Sequence, residues 1–281
     1  MNRTKYLVFT DQDKELLVKL HDFIYLKGDF IAEYIYTKRR SKQTVMDRLR
    51  ELTEAGFITS FKVAIEGYNR PGNIYTLTST GVQAVEQLQG FVKWNNRWSQ
   101  VVPPWYQHQL RLNDIVMQYS EQLSKESDFE VKEWVPEARA TWQYTDDKTD
   151  VLKPDGVLVL GLKGDREQNL ALFVELERSF AKRKNTVNKV LRYNNFFRRG
   201  EETFKKYDLH VGFEEKIVEW RILFIGGNYS GTNKTIGDIL SAGENIDIPI
   251  HVADAEDIQK NAGGPIYYNL LAEDPYQPTE L

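Results

Sequence analysis

The sequence predicts a two-part α/β protein: a mainly helical front domain carrying one β-hairpin, then an α/β domain with a central mixed sheet. Three observations predict it. The 281 residues are long for one core and comfortable for two. Apolar residues recur at helical spacing through the first ninety positions with a single extended interruption, whereas helical and extended segments alternate beyond residue 105. The charge also divides. Residues 1–100 hold 15 Lys and Arg against 11 Asp and Glu, while the remainder holds 22 against 30. A basic front and an acidic back imply different partners, because affinity for phosphate follows local and not net charge.

The first helix opens at Thr10-Asp11-Gln12-Asp13, which offers an N-cap and first-turn acids, and continues with Leu16, Leu17, Leu20, Phe23 and Ile24 at helical spacing. Gly28-Asp29 breaks it and recaps a shorter helix with Ile31, Tyr34 and Ile35, ending near Lys38-Arg39-Arg40. Ser41 caps a third helix whose Val45, Leu49 and Leu52 form an apolar stripe closed by Gly56. Two extended runs, 57–65 and 73–77, flank a turn at Asn69-Arg70-Pro71-Gly72 and form a hairpin with a basic tip. Thr78-Ser79-Thr80-Gly81 then opens a fourth helix with Val82, Val85 and Leu88 inward.

Three helices, a hairpin and a closing helix are the order of a winged helix-turn-helix. The segments SKQTVMDRLRELTEAGFI (Ser41 to Ile58) and IYTLTSTGVQAVEQL (Ile74 to Leu88) resemble the recognition helix and wing of bacterial regulators of that superfamily. Such a helix enters the major groove N-terminus first, and flanking cations meet phosphates. Lys42, Gln43 and Thr44 are therefore the candidates for base or groove contact, and Arg39, Arg40, Arg48 and Arg70 for phosphate. Basic charge at both helix start and wing tip opposes the bland alternative, a solvated face on a protein-docking winged helix.

Residues 1–92 form the expected DNA-binding domain, 93–104 a linker packed by Trp94 and Trp98 and broken by Pro103-Pro104, and 105–281 the α/β domain. A helix from Trp105 to Lys125 leads it, with Leu110, Leu112, Ile115, Val116, Tyr119 and Leu123 apolar. Strands are expected at 129–136, 156–160, 170–176, 221–225 and 248–253, with helices near 184–199 and 234–241. A loose tail is expected from about Asp274. Pro154-Asp155 precedes one strand; Glu175 and Glu177 alternate at the end of the next and so face one side. Carboxylates at adjacent strand ends can hold Mg²⁺, which activates water against a phosphodiester. They can equally pair with Arg178, Lys182 or Arg183.

This order resembles the PD-(D/E)XK, restriction-endonuclease-like fold, with KPDGVLVL and LALFVELERS at its two acidic strands. The resemblance implies catalytic and metal-binding roles for Asp155 and Glu175. Where that family carries lysine, this chain has Glu177, which leaves cleavage open unless Lys189 or Tyr193 of the next helix substitutes in space. Taken together, the front winged helix, HQLRLNDIVMQY, KPDGVLVL, FVELERS and KVLRYNNFF resemble the replication-relaxation proteins of bacterial plasmids and phages. That resemblance implies double-stranded DNA as partner, in replication or its control.

Composition narrows the field. With no cysteine, thiol nucleophiles, disulfides and thiolate zinc sites are excluded. His21, His108, His210 and His251 lack metal-ligand spacing, and the glycine-rich 226–231 lacks the phosphate-loop pattern. No apolar run is long enough for a membrane span, and the N-terminus has no secretory pattern, so a cytoplasmic protein without membrane contact is expected. A homodimer matches the two-fold symmetry of many helix-turn-helix sites. Two readings stay open: a DNA-binding protein whose back domain is a scaffold or dimerisation module, and a Mg²⁺-dependent endonuclease targeted by its winged helix.

Overall fold

The computed structural model describes residues 7–38, 41–90, 92–126, 128–177, 182–242 and 247–281. The chain divides into two compact units, 1–113 and 114–281.

In the first unit, helix α1 (Asp11–Phe23) starts at a reciprocal cap: Thr10 accepts from the Asp13 amide, and the Asp13 side chain accepts from the Thr10 amide. Leu16, Leu17, Leu20 and Phe23 are buried. Expected helix two differs in detail. Leu26–Lys27 form a short strand, β1, before a turn of α-helix, α2 (Gly28–Phe30), and a π-helical turn, Ile31–Ile35. Lys27 is the N-cap and its side chain does not cap the helix, so Gly28-Asp29 starts the helix without capping it. Helix α3 (Lys42–Glu54) follows, capped by the Ser41 hydroxyl and packed through Val45, Leu49 and Leu52. Strands β2 (Ile58–Val63) and β3 (Gly72–Leu77) pair antiparallel, and β1 adds to β3, giving the sheet β1-β3-β2.

Helix α4 (Ser79–Gln89) is capped by Thr78, whose hydroxyl accepts from the Gly81 amide. Gly81 is required: a Cβ there would lie 2.1 Å from the Phe57 carbonyl oxygen. Val85 is buried, but Leu88 is 44% exposed, contrary to expectation. Leu88 stands one turn beyond Val85, in the last turn of α4, a helix that packs chiefly on α1. This unit has the winged helix-turn-helix order.

The segment expected to link the halves is part of this unit's packing. Trp94, Trp98 and Val102 lie against Ile24, Tyr25, Ile65, Ile74 and Leu110, and the Tyr25 hydroxyl donates to the Trp98 carbonyl (2.9 Å). Helix α5 (Tyr106–Glu126) begins here, with the Asn113 amide donating to the carbonyls of Phe23 (3.1 Å) and Tyr25 (2.8 Å). The unit boundary falls within α5.

The second unit is a mixed α/β structure. Its principal strands are β4 (Phe129–Pro136), β7 (Gly156–Leu162), β8 (Asn169–Leu176), β9 (Ile217–Gly226) and β10 (Ile250–Asp254), extended by β11 (Tyr267–Asn269) and β12 (Pro278–Thr279). Two-residue strands β5 (Trp142–Gln143) and β6 (Val151–Leu152) form a separate ribbon. The sheet order is β12-β11-β10-β9-β8-β7-β4, parallel at β8/β9 and β9/β10 and antiparallel elsewhere. Helices α7 (Arg183–Phe197), α8 (Glu201–Val211) and α9 (Tyr229–Leu240) cover one face through Val190, Phe196, Tyr207, Ile236 and Ile239 on Phe173, Ile222 and Phe224. Between β4 and β5 lies the turn α6 (Glu137–Ala140), and α10 (Ala255–Asn261) follows β10.

Helix α8 was not expected: it carries Phe204, Tyr207 and Val211 within a run of charged residues that masks their spacing. The expected loose tail is also corrected, since β12 pairs with β11, Tyr267 opposite Thr279 and Tyr268 opposite Pro278. Proline serves there because an edge strand needs only half its amides. Among the described residues, no helix is long and apolar enough to cross a membrane.

Candidate functional site

Two groups of side chains stand out, one in each unit. In the first, α3 is two-faced. Its stripe Val45, Leu49 and Leu52 is buried, while Lys42, Gln43 and Thr44 at its N-terminus are exposed. Ser41 fixes that end by accepting from the Thr44 amide (3.2 Å), and the Gln43 side chain rests on Asp47 (3.1 Å). Arg70, at the tip between β2 and β3, is exposed. The base of this wing is tied down: Tyr68 donates to Asp29, and Gln107 donates to the Ala64 carbonyl (2.7 Å) and accepts from the Glu66 amide (3.2 Å). Among the described residues, neither Lys42 nor Arg70 pairs with a carboxylate. Arg39 and Arg40 lie outside the described residues.

Arg48 is placed otherwise than expected. Its guanidinium lies 2.7 Å from Asp13 Oδ2 and 2.7 Å from Glu51 Oε2 and donates to the Val8 carbonyl (2.8 Å). Only 11% of the side chain is exposed. Tyr36 completes the cluster by donating to Asp13 Oδ1 (2.6 Å). Burial alone would raise the Asp13 carboxyl, but hydrogen bonds from Arg48, Tyr36 and Thr10 outweigh it and hold the group down at about 2. Four of the five guanidinium N–H groups are engaged by Asp13, Glu51 and the Val8 carbonyl, so Arg48 is a largely buried, internally paired cation and not a free surface one. Its position on the helix gave no sign of this, because the partner lies 35 residues away in sequence.

In the second unit, Asp155 stands just before β7, Glu175 near the end of β8, Glu177 one residue past it, and Lys189 and Tyr193 one turn apart on α7. The structure brings them together. Lys189 Nζ lies 2.7 Å from Glu175 Oε2 and 2.7 Å from Glu177 Oε1, and the Tyr193 hydroxyl donates to Glu175 Oε1 (2.7 Å). The Asp155 amide donates to the Val174 carbonyl (3.0 Å), and its Oδ2 accepts from the Leu176 amide (2.8 Å). Gly156 lets this turn lie flat against the Trp134 indole, which a Cβ would enter at 2.0 Å.

The electrostatics follow from burial. Glu175 is 1% exposed; burial pushes its carboxyl up, Lys189 opposes this, Asp155 adds to it, and the result is about 7. Burial disfavours the Lys189 ammonium, yet Glu175, Asp155 and Glu177 together hold it above the ordinary lysine range. An internal ammonium thus sits between the carboxylates, with Arg178 outside the described residues and Lys182 and Arg183 exposed. As arranged, the residues do not fit a divalent cation. Four of the six carboxylate oxygens of Asp155, Glu175 and Glu177 are engaged by Lys189, Tyr193 and a backbone amide, and among the described residues no three acidic or histidine side chains form a metal-ligand group.

Comparison with known proteins gives three kinds of result. A sequence model of the replication-relaxation family matches residues 17–209. No curated protein matches the chain. Among solved structures, Bacillus subtilis PadR in complex with operator DNA is similar over 40% of this chain and 67% of its own, at 20% identity and a TM-score of 0.23. The restriction endonuclease FokI is similar over 89% of this chain and 42% of its own, at 12% identity and a TM-score of 0.34. The SdaI restriction endonuclease is similar over 89% and 88%, at 11% identity and a TM-score of 0.27.

Proposed function

This chain belongs to the replication-relaxation family, and from that premise we propose that it binds double-stranded DNA on a bacterial plasmid or phage, in replication or its regulation. Helix α3 is the recognition helix. Lys42, Gln43 and Thr44 approach base edges in the major groove, and Arg70 of the wing meets phosphate, joined on sequence grounds by Arg39 and Arg40. The second unit serves as scaffold or dimerisation module.

The reading is carried by one observation: α3 buries its apolar stripe completely while presenting a capped, exposed N-terminus of polar and cationic residues. Arg48 leaves the phosphate-contacting set because its charge is spent internally. Fluorescence anisotropy over a salt series tests the reading. Lys42→Ala with Arg70→Ala should weaken duplex binding and reduce the slope of log K against log salt by about 1, as expected for the lost phosphate contact of Arg70. Gln43→Ala should change the sequences recovered from a random duplex library. An unchanged slope and an unchanged consensus would sink the assignment.

The convergence of Asp155, Glu175 and Lys189 favours a second reading, a DNA endonuclease aimed by the winged helix. It requires Lys189 to leave at least one carboxylate free, because both now engage its ammonium.

A further inference from the structure

The second unit is acidic as a whole, but one stretch reverses that sign. Residues 182–199 hold seven Lys and Arg and no Asp or Glu. This is α7 with its N-cap and the two arginines after it. Two cations of the stretch are committed: Lys189 to Glu175 and Glu177, and Arg199 to Asp150 (2.7 Å). The others behave differently. Lys182, Arg183, Lys184 and Arg198 are exposed and Arg192 is half-buried, and among the described residues none of the five pairs with a carboxylate. Elsewhere in the unit, the exposed Lys205, Lys216 and Lys260 each have an acidic partner, while Lys148 and Lys206 stand singly and pair with none among the described residues.

Helical spacing arranges this charge. Lys184, Asn188, Arg192 and Asn195 follow at intervals of four, four and three, which makes one outward stripe. From Lys184 to Arg198 the face runs roughly 20 Å at 1.5 Å per residue. An open groove of ≈ 680 Å³ lies along it, lined by Asn185, Asn188, Lys189, Leu191, Arg192 and Asn195 of α7 and by Thr149 and Asp150 of the loop before β6. Three carboxamides, the Arg192 guanidinium and Lys189 are among its lining, and the one carboxylate there, Asp150, is paired with Arg199. Carboxamides and arginines in file suit phosphate oxygens, which accept several donors per group.

We propose that the outer face of α7 is a second duplex-DNA contact surface, taking the phosphate backbone along Lys184, Asn188, Arg192, Asn195 and Arg198. It rests on the duplex-binding reading above and adds to it a surface in the other unit. Charge complementarity selects the occupant. A row of unpaired cations and neutral donors spaced over roughly 20 Å fits a polyanion of regular charge density, and a duplex presents a charge about every 1.7 Å of axis.

The test uses the full chain in two ways. First, Lys184→Gln, Arg192→Gln and Arg198→Gln are combined, and binding of a 30-base-pair duplex is followed over salt, beside the Lys42→Ala, Arg70→Ala chain. The triple variant should lose at least about tenfold in affinity and its salt slope should fall by about 3. Secondly, the absence of cysteine allows one photocrosslinker to be placed at will. A benzophenone on Asn195→Cys should crosslink the duplex, whereas one on Leu209→Cys, 84% exposed on α8, should not. If the triple variant keeps wild-type affinity and slope, and crosslinking from 195 equals that from 209, this proposal is overturned while the front-unit reading stands. If the triple variant weakens and the Lys42, Arg70 variant does not, the front-unit reading falls and this one holds. Failure of the unaltered chain to bind duplex at low salt overturns both, and a marked preference of the α7 face for single-stranded oligonucleotide overturns the duplex assignment.

Discussion

Arg48 shows how one residue changes its role once its surroundings are known. From its position on a basic recognition helix it suits phosphate; in the fold it neutralises Asp13, which is fully buried. Removing one partner of such a pair leaves an uncompensated buried charge, so Arg48→Ala should destabilise the protein by about 3–5 kcal/mol. In urea denaturation that loss should be plain, while the salt slope of DNA binding by the remaining folded protein should not change. The pair also sets acid sensitivity. Because the folded Asp13 carboxyl is held at about 2 against an ordinary 3.8, its contribution is complete above about pH 3.8 and is lost as pH falls through the folded value. The stake is roughly 2 kcal/mol. Denaturation midpoints across this acid range should fall less steeply for Asp13→Asn than for the unaltered chain; equal slopes would show that Asp13 is not the group responsible.

At the scale of elements, caps and apolar stripes were legible in the sequence because each is local. Thr10, Ser41 and Thr78 cap the helices as their chemistry predicts, and α5 buries all six of its expected apolar residues. Short pairing was not legible. Strand β1 is two residues long and exists only because β3 lies beside it, and β12 likewise depends on β11. Gly81 belongs at this scale, since it sets how closely α4 approaches the chain entering β2. Gly81→Ala would press a methyl group on the Phe57 carbonyl and should cost about 1–3 kcal/mol, measurable by chemical denaturation with the wing displaced. No measurable loss would mean that the junction relaxes freely. Helix α7 was expected within one residue at its start and two at its end, yet its basic outer face went unread, because charge averaged over the acidic half concealed a local reversal.

For the whole molecule, the remaining question is whether the carboxylate cluster reacts or only supports. With Lys189 bonded to both Glu175 and Glu177, supercoiled DNA incubated with the protein and Mg²⁺ or Mn²⁺ should stay intact. Nicking that vanishes in Asp155→Ala or Glu175→Ala would instead establish the endonuclease reading. The dimerisation role predicts a sedimenting species of twice the chain mass; a monomer at working concentrations would remove dimerisation from the proposal and leave the scaffold role.

The amino-acid order alone determined the winged helix-turn-helix order, the succession of strands and helices behind it, and the acids at adjacent strand ends, since capping, periodicity and turn chemistry act over a few residues. Which charges are free and which are spent was decided only by tertiary structure. Arg48 meets Asp13 across 35 residues, and Lys189 meets Glu177 from the next helix. Burial then makes each pairing compulsory, because a charge withdrawn from water must find its opposite.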